Sequence, residues 1–163
     1  MKTVSDTTRR RIEAQGYLGL SDEMLCEVGP WLRFAPGICM VWVGVATYLG
    51  SVTALWVLMP FAALGALFRG HPFEVLYNHG IRHVIGTAHL PPANAPRRFA
   101  CAVATSWIAA TAWAFHSDAA TLGAVLGWSL AVAAAVPTFT DFCIPSFFYG
   151  LMFGKPRAAG GEV

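Results

Sequence analysis

Cys143 has the sequence surroundings that most favour thiol chemistry in this chain. It begins the segment Cys143-Ile-Pro-Ser146, which can start a helix, and the backbone amides at a helix N-terminus favour a thiolate. Asp141, two residues earlier, would oppose that effect. We therefore interpret Cys143, with Ser146 and Asp141, as a candidate redox or ligand site, and packing as the alternative. We interpret Cys39 and Cys101 as small apolar packing residues.

Histidines form the second candidate group. His79 and His83 are four residues apart, so on a helix they share one face and could hold a haem, a pigment or a metal ion. His71 is a possible third ligand. The alternative is that these imidazoles only hydrogen-bond to lipid headgroups or backbone, and we expect no metal and no cofactor.

Composition indicates a membrane protein of one domain. Of the 163 residues, 56% are hydrophobic and only 12% are charged, against about 25% charged in a soluble domain. A chain this small could not bury so much apolar surface by folding in water. We do not expect nucleic-acid binding, because the sequence has no basic face with interleaved aromatic residues.

Four apolar runs predict an all-α membrane fold. The runs lie in two pairs, each joined by a connection of two or three residues, which predicts two transmembrane hairpins at 34–68 and 99–138. None of the runs contains an Asp, Glu, Lys, Arg or His residue, which argues against an ion or proton pathway. The runs are Phe34 to Leu49, Val52 to Phe68, Phe99 to Phe115 and Ala119 to Thr138.

Three polar regions surround the hairpins. Residues 1–33 form an arm with a short helix, predicted from Ser21 to Val28 and ended by Gly29-Pro30. Residues 69–98 form a loop with an interfacial amphipathic helix that begins at Pro72. Pro137 is expected to kink or end the fourth helix. Residues 139–163 are expected to form an interfacial segment and a tail.

Small residues predict how the last two spans pack. Ala102, Ser106 and Ala110 recur every four residues, as do Gly123, Gly127 and Ala131. Such stripes allow two backbones to approach closely where lipid supplies no hydrophobic drive for association. We therefore expect these faces to touch.

The two halves of the chain resemble each other, which predicts a parallel repeat. Arg33-Phe34-Ala35 opens the first hairpin and Arg98-Phe99-Ala100 opens the second. Of the 11 Lys and Arg residues, none lies in either hairpin turn. The positive-inside rule then predicts a multi-pass protein of the bacterial inner membrane, with both termini and the middle loop in the cytoplasm.

From Arg33 to Gly154 the chain resembles the bacterial membrane family of domain-of-unknown-function 4395. The motifs that carry the likeness are Pro96-Arg-Arg-Phe-Ala100 and Asp141-Phe-Cys-Ile-Pro-Ser-Phe147. The resemblance implies four spans, no established activity, and in some members a link to thioredoxin-like or sulfurtransferase proteins. It also implies a Cys-x-x-Cys pair, but here Ser146 occupies the place of the second cysteine.

These observations favour a protein that is not an enzyme. Our first expectation is an accessory membrane subunit that packs against other spans in a larger respiratory or photosynthetic complex. The alternative is a thiol-redox or sulfur-relay protein that acts through Cys143 with a thioredoxin-like partner. The third hypothesis is a small-molecule transporter.

Overall fold

A computed structural model describes residues 4–69, 71–92 and 94–154 of the chain. Throughout these residues the regular structure is helical, with no strand. The predicted tail at 155–163 lies outside the described residues. The helices are α1 (Asp6–Ala14), α2 (Asp22–Leu32), α3 (Phe34–Tyr48), α4 (Val52–Leu67), α5 (Pro72–Leu76), α6 (Arg82–Ile85), α7 (Ala95–His116), α8 (Ala120–Thr140) and α9 (Ile144–Phe153), with a π-helical turn at Tyr77–Ile81 between α5 and α6.

Three helical stretches are long and apolar enough to cross a membrane. They are Asp22–Tyr48, which joins α2 to α3, together with α7 and α8. The shorter α4 makes a fourth candidate span when it is counted with Pro72–Ile85, whose axis turns by 83° from that of α4. The described chain is therefore an all-helical protein with three or four candidate membrane spans.

Each long helix packs mainly against a helix that is distant in sequence. The most extensive contacts join α4 to α7 and α3 to α8, and α7 also packs on α8. By contrast, α3 and α4 contact each other little, although only a short turn separates them. The shared core is built from small and branched residues, namely Ala35, Val43, Ala46, Leu55, Leu58, Ala62, Phe73, Ile108, Ala112, Leu130 and Ala131.

The N-terminal region forms a second, smaller core beside one end of the helix bundle. Sequence analysis missed α1, which begins after Ser5, whose hydroxyl accepts a hydrogen bond from the Thr8 backbone. The side chains of this core come from the arm and from the loop that follows α4. They are Ile12, Tyr17, Leu25, Val28, Leu32, Tyr77 and Leu90.

Prolines lie inside two of the helices, and the predicted end of the first of these helices is wrong. Ser21 caps α2 as predicted, but the helix continues past Gly29-Pro30 to Leu32. Likewise α8 continues past Pro137 to Thr140 and ends where Asp141 adopts a left-handed conformation with φ of 58°. Proline removes one backbone hydrogen bond and bends a helix, but neighbouring turns can carry the helix through it.

Candidate functional site

Three of the four cysteines line a single cavity of about 140 Å³ inside the bundle. Cys39 comes from α3, Cys101 from α7, and Cys143 from the turn before α9. All four cysteines lie within the described residues and none forms a disulfide. The remaining lining is mainly apolar, with Gln15, Ala35, Pro36, Ala62, His71, Arg97, Ala100, Val103, Ala104, Trp107, Leu130, Ala133, Ala134, Pro137 and Pro145.

Cys101 is the central thiol of this group. It is close enough to both Cys39 and Cys143 for charges on the three sulfur atoms to interact. The three thiols thus come from α3, α7 and the α8–α9 turn, and no single sequence motif contains all of them. Cys26 of α2 does not belong to the cavity lining.

Arg97 places a buried positive charge at the cavity. Its Nη2 atom lies 2.5 Å from Oε1 of Glu74, and the two side chains are only 10% and 5% exposed. Arg97 also donates to the backbone carbonyl of Leu32 over 3.4 Å and stands above the ring of Tyr17. Arg97 lines the same cavity as the three thiols, and the carboxylate of Glu74 balances its charge.

Glu74 is held by several donors at once. Besides Arg97, its carboxylate accepts a hydrogen bond from the backbone N–H of His71 over 3.3 Å and one from the hydroxyl of Tyr17 over 3.5 Å. Burial raises the pKa of Tyr17 well above its usual value, with Arg97 opposing the shift, so the phenol stays protonated and remains a donor. The α5 helix and the arm therefore both contribute to the polar side of the cavity.

His71 is a neutral side chain in this site. Burial lowers the pKa of His71 to about 4; Glu74 works against the shift and Arg97 adds to it. The Nδ1 atom accepts a hydrogen bond from the backbone N–H of Phe73 over 3.3 Å. A neutral imidazole carries one proton, so that proton is on Nε2, which is left as a donor.

Gly65 makes the position of the His71 ring possible. A Cβ atom on Gly65 would overlap the ring at Cδ2 and would lie 3.1 Å from both His71 Nε2 and Cys101 Sγ. Because Gly65 has no side chain, the His71 ring and the Cys101 thiol can both lie close to the backbone of α4. Any larger residue at position 65 would push one of them away.

Trp107 lines the same cavity, but its indole N–H group is enclosed. Its Nε1 atom is buried and has no hydrogen-bond partner among the described residues. A buried N–H without a partner costs free energy, and such groups are uncommon in folded proteins. The cavity is thus lined mainly by apolar groups and three thiols, with Gln15, His71 and Arg97 as polar residues.

Ser146 and Asp141, the other two residues of the candidate Cys143 site, make contacts that fix the backbone around it. Ser146 is buried and donates to the carbonyl of Pro96 over 3.3 Å, which ties α9 to the start of α7. Asp141 is also buried and accepts from Nε of Arg33 over 2.6 Å, while a second Arg33 nitrogen binds its other oxygen. The Arg33 charge therefore offsets the carboxylate that stands two residues before Cys143.

The three candidate histidines are not brought together. His71 is buried at the cavity, whereas His79 and His83 are exposed, and Nδ1 of His79 pairs with the carbonyl of Val75 over 3.0 Å. The π-helical turn at Tyr77–Ile81 also alters the spacing between His79 and His83. Across the described residues, no group of three His, Cys, Asp or Glu side chains is arranged to hold a metal ion.

The small residues of α7 and α8 point in different directions. Gly123, Gly127 and Ala131 are buried, and the space beside Gly127 is filled by Thr47 of α3. Phe115 of α7 fills the space beside Gly123. On α7 the predicted stripe faces outward, since Ala102, Ser106 and Ala110 are all exposed.

Sequence analysis missed most of the polar groups of the site. Arg97 was noted only within a family motif, and Glu74, Tyr17 and Trp107 were not singled out. The sequence did contain a signal for the ion pair. Glu74 near the start of α5 and Arg97 near the start of α7 are residues of opposite charge that flank the apolar runs. Their pairing depends on the contact between α4 and α7, which no local pattern reveals.

One comparison with known proteins gives a match. A family model described as a domain of unknown function, DUF4395, matches residues 29–153 of the chain. The match includes the three cavity cysteines, Glu74 and Arg97, but it leaves out α1 and Tyr17. No curated protein and no solved structure matches the chain.

Proposed function

We propose that this chain, which belongs to the DUF4395 family, is a membrane thiol-redox or sulfur-relay protein that acts through Cys143. The observation that carries the proposal is the convergence of Cys39, Cys101 and Cys143 on one cavity beside Arg97. The sequence lacks a second thiol at Ser146, and the fold supplies thiols from other helices.

The proposed reaction is a thiol–disulfide exchange with a thioredoxin-like partner. The Cys143 thiolate attacks the disulfide of the partner, forms a mixed disulfide and releases one partner thiolate. Cys101 then attacks the mixed disulfide, which releases the second partner thiolate and leaves a disulfide between Cys143 and Cys101. Two electrons pass from this chain to the partner, and Arg97 stabilises the thiolates by its charge.

Membrane placement is part of the same proposal. We place the chain in the bacterial inner membrane, with both termini in the cytoplasm, so that the α8–α9 turn and Cys143 face a soluble partner. We also propose the parallel repeat of two hairpins. It is supported by equivalent contacts at the two hairpin starts, because Arg33 binds Asp141 after α8 while Arg98 donates to the carbonyls of Ala66 and Leu67 at the end of α4.

Mild oxidation of isolated membranes tests the thiol function. Diamide is expected to form a disulfide between Cys143 and Cys101 in the wild-type protein, detected as a linked peptide by mass spectrometry. The linked peptide should disappear in Cys143→Ser and in Cys101→Ser, and should persist in the matched control Cys26→Ser. If Cys143 forms no disulfide and resists maleimide while Cys26 is labelled, the proposed function is wrong.

A second candidate function is supported by the outward stripe on α7. Ala102, Ser106 and Ala110 are exposed and border an open groove with Leu126 of α8. A surface of this type suits close packing against another membrane helix, as in an accessory subunit of a larger complex. Ser106→Leu should then release the chain from its complex on a native gel, whereas Val125→Leu, on an exposed part of α8, should not.

A further inference from the structure

We propose that the groove between α1 and α9 binds one phospholipid of the surrounding membrane, with its phosphate group at Arg10 and one acyl chain along α9. The groove has a volume of about 450 Å³, within the roughly 300–1,000 Å³ that is usual for small-molecule sites. Its walls are two helix faces, formed by Arg10, Glu13 and Ala14 of α1 and by Phe147, Gly150 and Leu151 of α9. The thiol cavity shares none of these residues, so the proposal does not depend on the thiol function.

The two walls of the groove differ in polarity. α1 is rich in charged residues, whereas α9 contains none. With 10 residues α9 is too short to cross a membrane, which takes about 20, and it exposes Phe148, Leu151 and Met152. In a membrane protein, exposed apolar side chains lie among acyl chains and charged side chains lie at the level of the headgroups. The groove therefore lies where headgroups meet acyl chains, and the molecule that fills it should be polar at one end and apolar at the other.

Arg10 defines the charge of the ligand. Its two neighbours hold α1 in place, because Arg9 donates to the carbonyl of Leu20 over 3.0 Å and Arg11 donates to the carbonyl of Thr140 over 2.8 Å. Arg10 itself is exposed, and it makes no hydrogen bond or ion pair in the part of the chain that the structure describes. A free guanidinium group at the wall of a groove suits a phosphate, to which it can donate two parallel hydrogen bonds.

The carboxylates of α1 do not cancel the charge of Arg10. Oε1 of Glu13 lies 3.9 Å from Nη1 of Arg9, so Glu13 already has a cationic neighbour. Asp6 lies in the first turn of α1, where the helix dipole stabilises a carboxylate. The three arginines of α1 against these two carboxylates leave the helix with one net positive charge. An anionic headgroup is therefore favoured over a neutral one.

Two small residues open the groove. Ala14 lines one wall and Gly150 the other. A Cβ atom on Gly150 would have no atom of another helix within 4 Å among the described residues, so the space beside it is open. Phe147 and Leu151 are four residues apart on the same face of α9 and supply apolar contacts for methylene groups. Because leucine favours helices more than glycine does, Gly150→Leu should fill the groove without breaking α9.

Native mass spectrometry of the full-length protein, purified in detergent and titrated with phosphatidylglycerol, tests the proposal. We expect saturable binding of one lipid per chain, and weaker binding of a diacylglycerol with the same acyl chains, which lacks the phosphate. Arg10→Gln should weaken the binding of phosphatidylglycerol about ten- to a hundredfold, because it removes a charged donor to the phosphate. Gly150→Leu should weaken it to a similar extent, because the leucine takes the place of the acyl chain.

Two matched controls accompany these variants. Arg69→Gln removes the same charge from an exposed position outside the groove, and Gly80→Leu adds the same side chain at an exposed glycine with open space beside it. Both should bind phosphatidylglycerol as the wild type does. Equal affinity for phosphatidylglycerol and diacylglycerol, or unchanged affinity in both Arg10→Gln and Gly150→Leu, would overturn the proposal. If these two variants keep the lipid but lose a protein that copurifies with the wild type, the groove is a protein interface and the proposal is wrong.

Discussion

Two of the arginine–carboxylate pairs in the described residues differ in burial and in use. Arg97 and Glu74 are almost fully enclosed, at 10% and 5% side-chain exposure, whereas the Arg33 side chain is 40% exposed beside a buried Asp141. Arg33 binds both oxygens of its partner. Arg97 also contacts a backbone carbonyl and an aromatic ring, and it lines the same cavity as three thiols. The comparison separates an ion pair that fastens helices from one that equips a cavity.

The largest expected effect comes from breaking the enclosed pair. Arg97→Leu leaves the Glu74 carboxylate buried without its cation, which should cost about 3–5 kcal/mol of stability. The loss is measured as a lower unfolding temperature in detergent. Because replacement of both charges by apolar groups is often nearly neutral, the double variant Arg97→Leu with Glu74→Leu should recover most of the stability. An Arg97→Leu protein as stable as the wild type would contradict the buried pair.

A smaller loss is expected at the half-exposed pair. Arg33→Leu should lower the unfolding free energy by about 1 kcal/mol, because water already reaches the arginine side chain and can solvate Asp141 after the change. Formation of the Cys101–Cys143 disulfide should be unaffected. The same unfolding measurement, made beside Arg97→Leu, decides whether the two pairs differ as proposed. Equal losses for the two variants would remove the distinction.

A pH dependence is also expected, and only the enclosed site should show it. The pKa of His71 falls from 6.5 to about 4 on folding because burial disfavours the imidazolium, against Glu74 and together with Arg97. Between these two values the unfolded chain binds the proton first, so stability should fall as pH is lowered from 6.5 to about 4. His71→Asn keeps an acceptor for the Phe73 amide but does not titrate.

Unfolding temperatures of both proteins between pH 7.5 and pH 4 check this expectation. The wild type should lose stability more steeply than His71→Asn across that window. Parallel curves for the two proteins would show that His71 is not held neutral by the fold. The Arg33 pair has no histidine among its hydrogen-bond partners in the described residues, so Arg33→Leu should leave the slope unchanged.

Much of the helical layout could be predicted from the sequence, because it depends on local patterns. Apolar runs, the Ser21 cap and Pro72 at the first turn of α5 each act within a few residues. The failure at Pro30 has a simple cause. A proline in the sequence indicates only that one backbone hydrogen bond of the helix is missing. Whether the helix bends or ends there depends on the surrounding structure.

The cavity could not be predicted in the same way. Cys39 and Cys101 carry no local mark that distinguishes a cavity thiol from a packing residue, so sequence analysis assigned them to packing. Their convergence requires α4 to lie against α7 and α3 against α8, at separations of tens of residues. His71 was singled out by its type, but its position over Gly65 depends on a single missing Cβ atom.

The packing of α3 and α4 against α8 and α7 has a consequence for how the protein is made. During synthesis α3 and α4 emerge first, and the surfaces they will bury belong mostly to α8 and α7, which the ribosome has not yet produced. The partner of Arg33, Asp141, lies 108 residues further along the chain. Truncation after α4 therefore leaves a fragment without its neighbours, which quality-control proteases should clear. The thiols meet only when the last helix has been inserted.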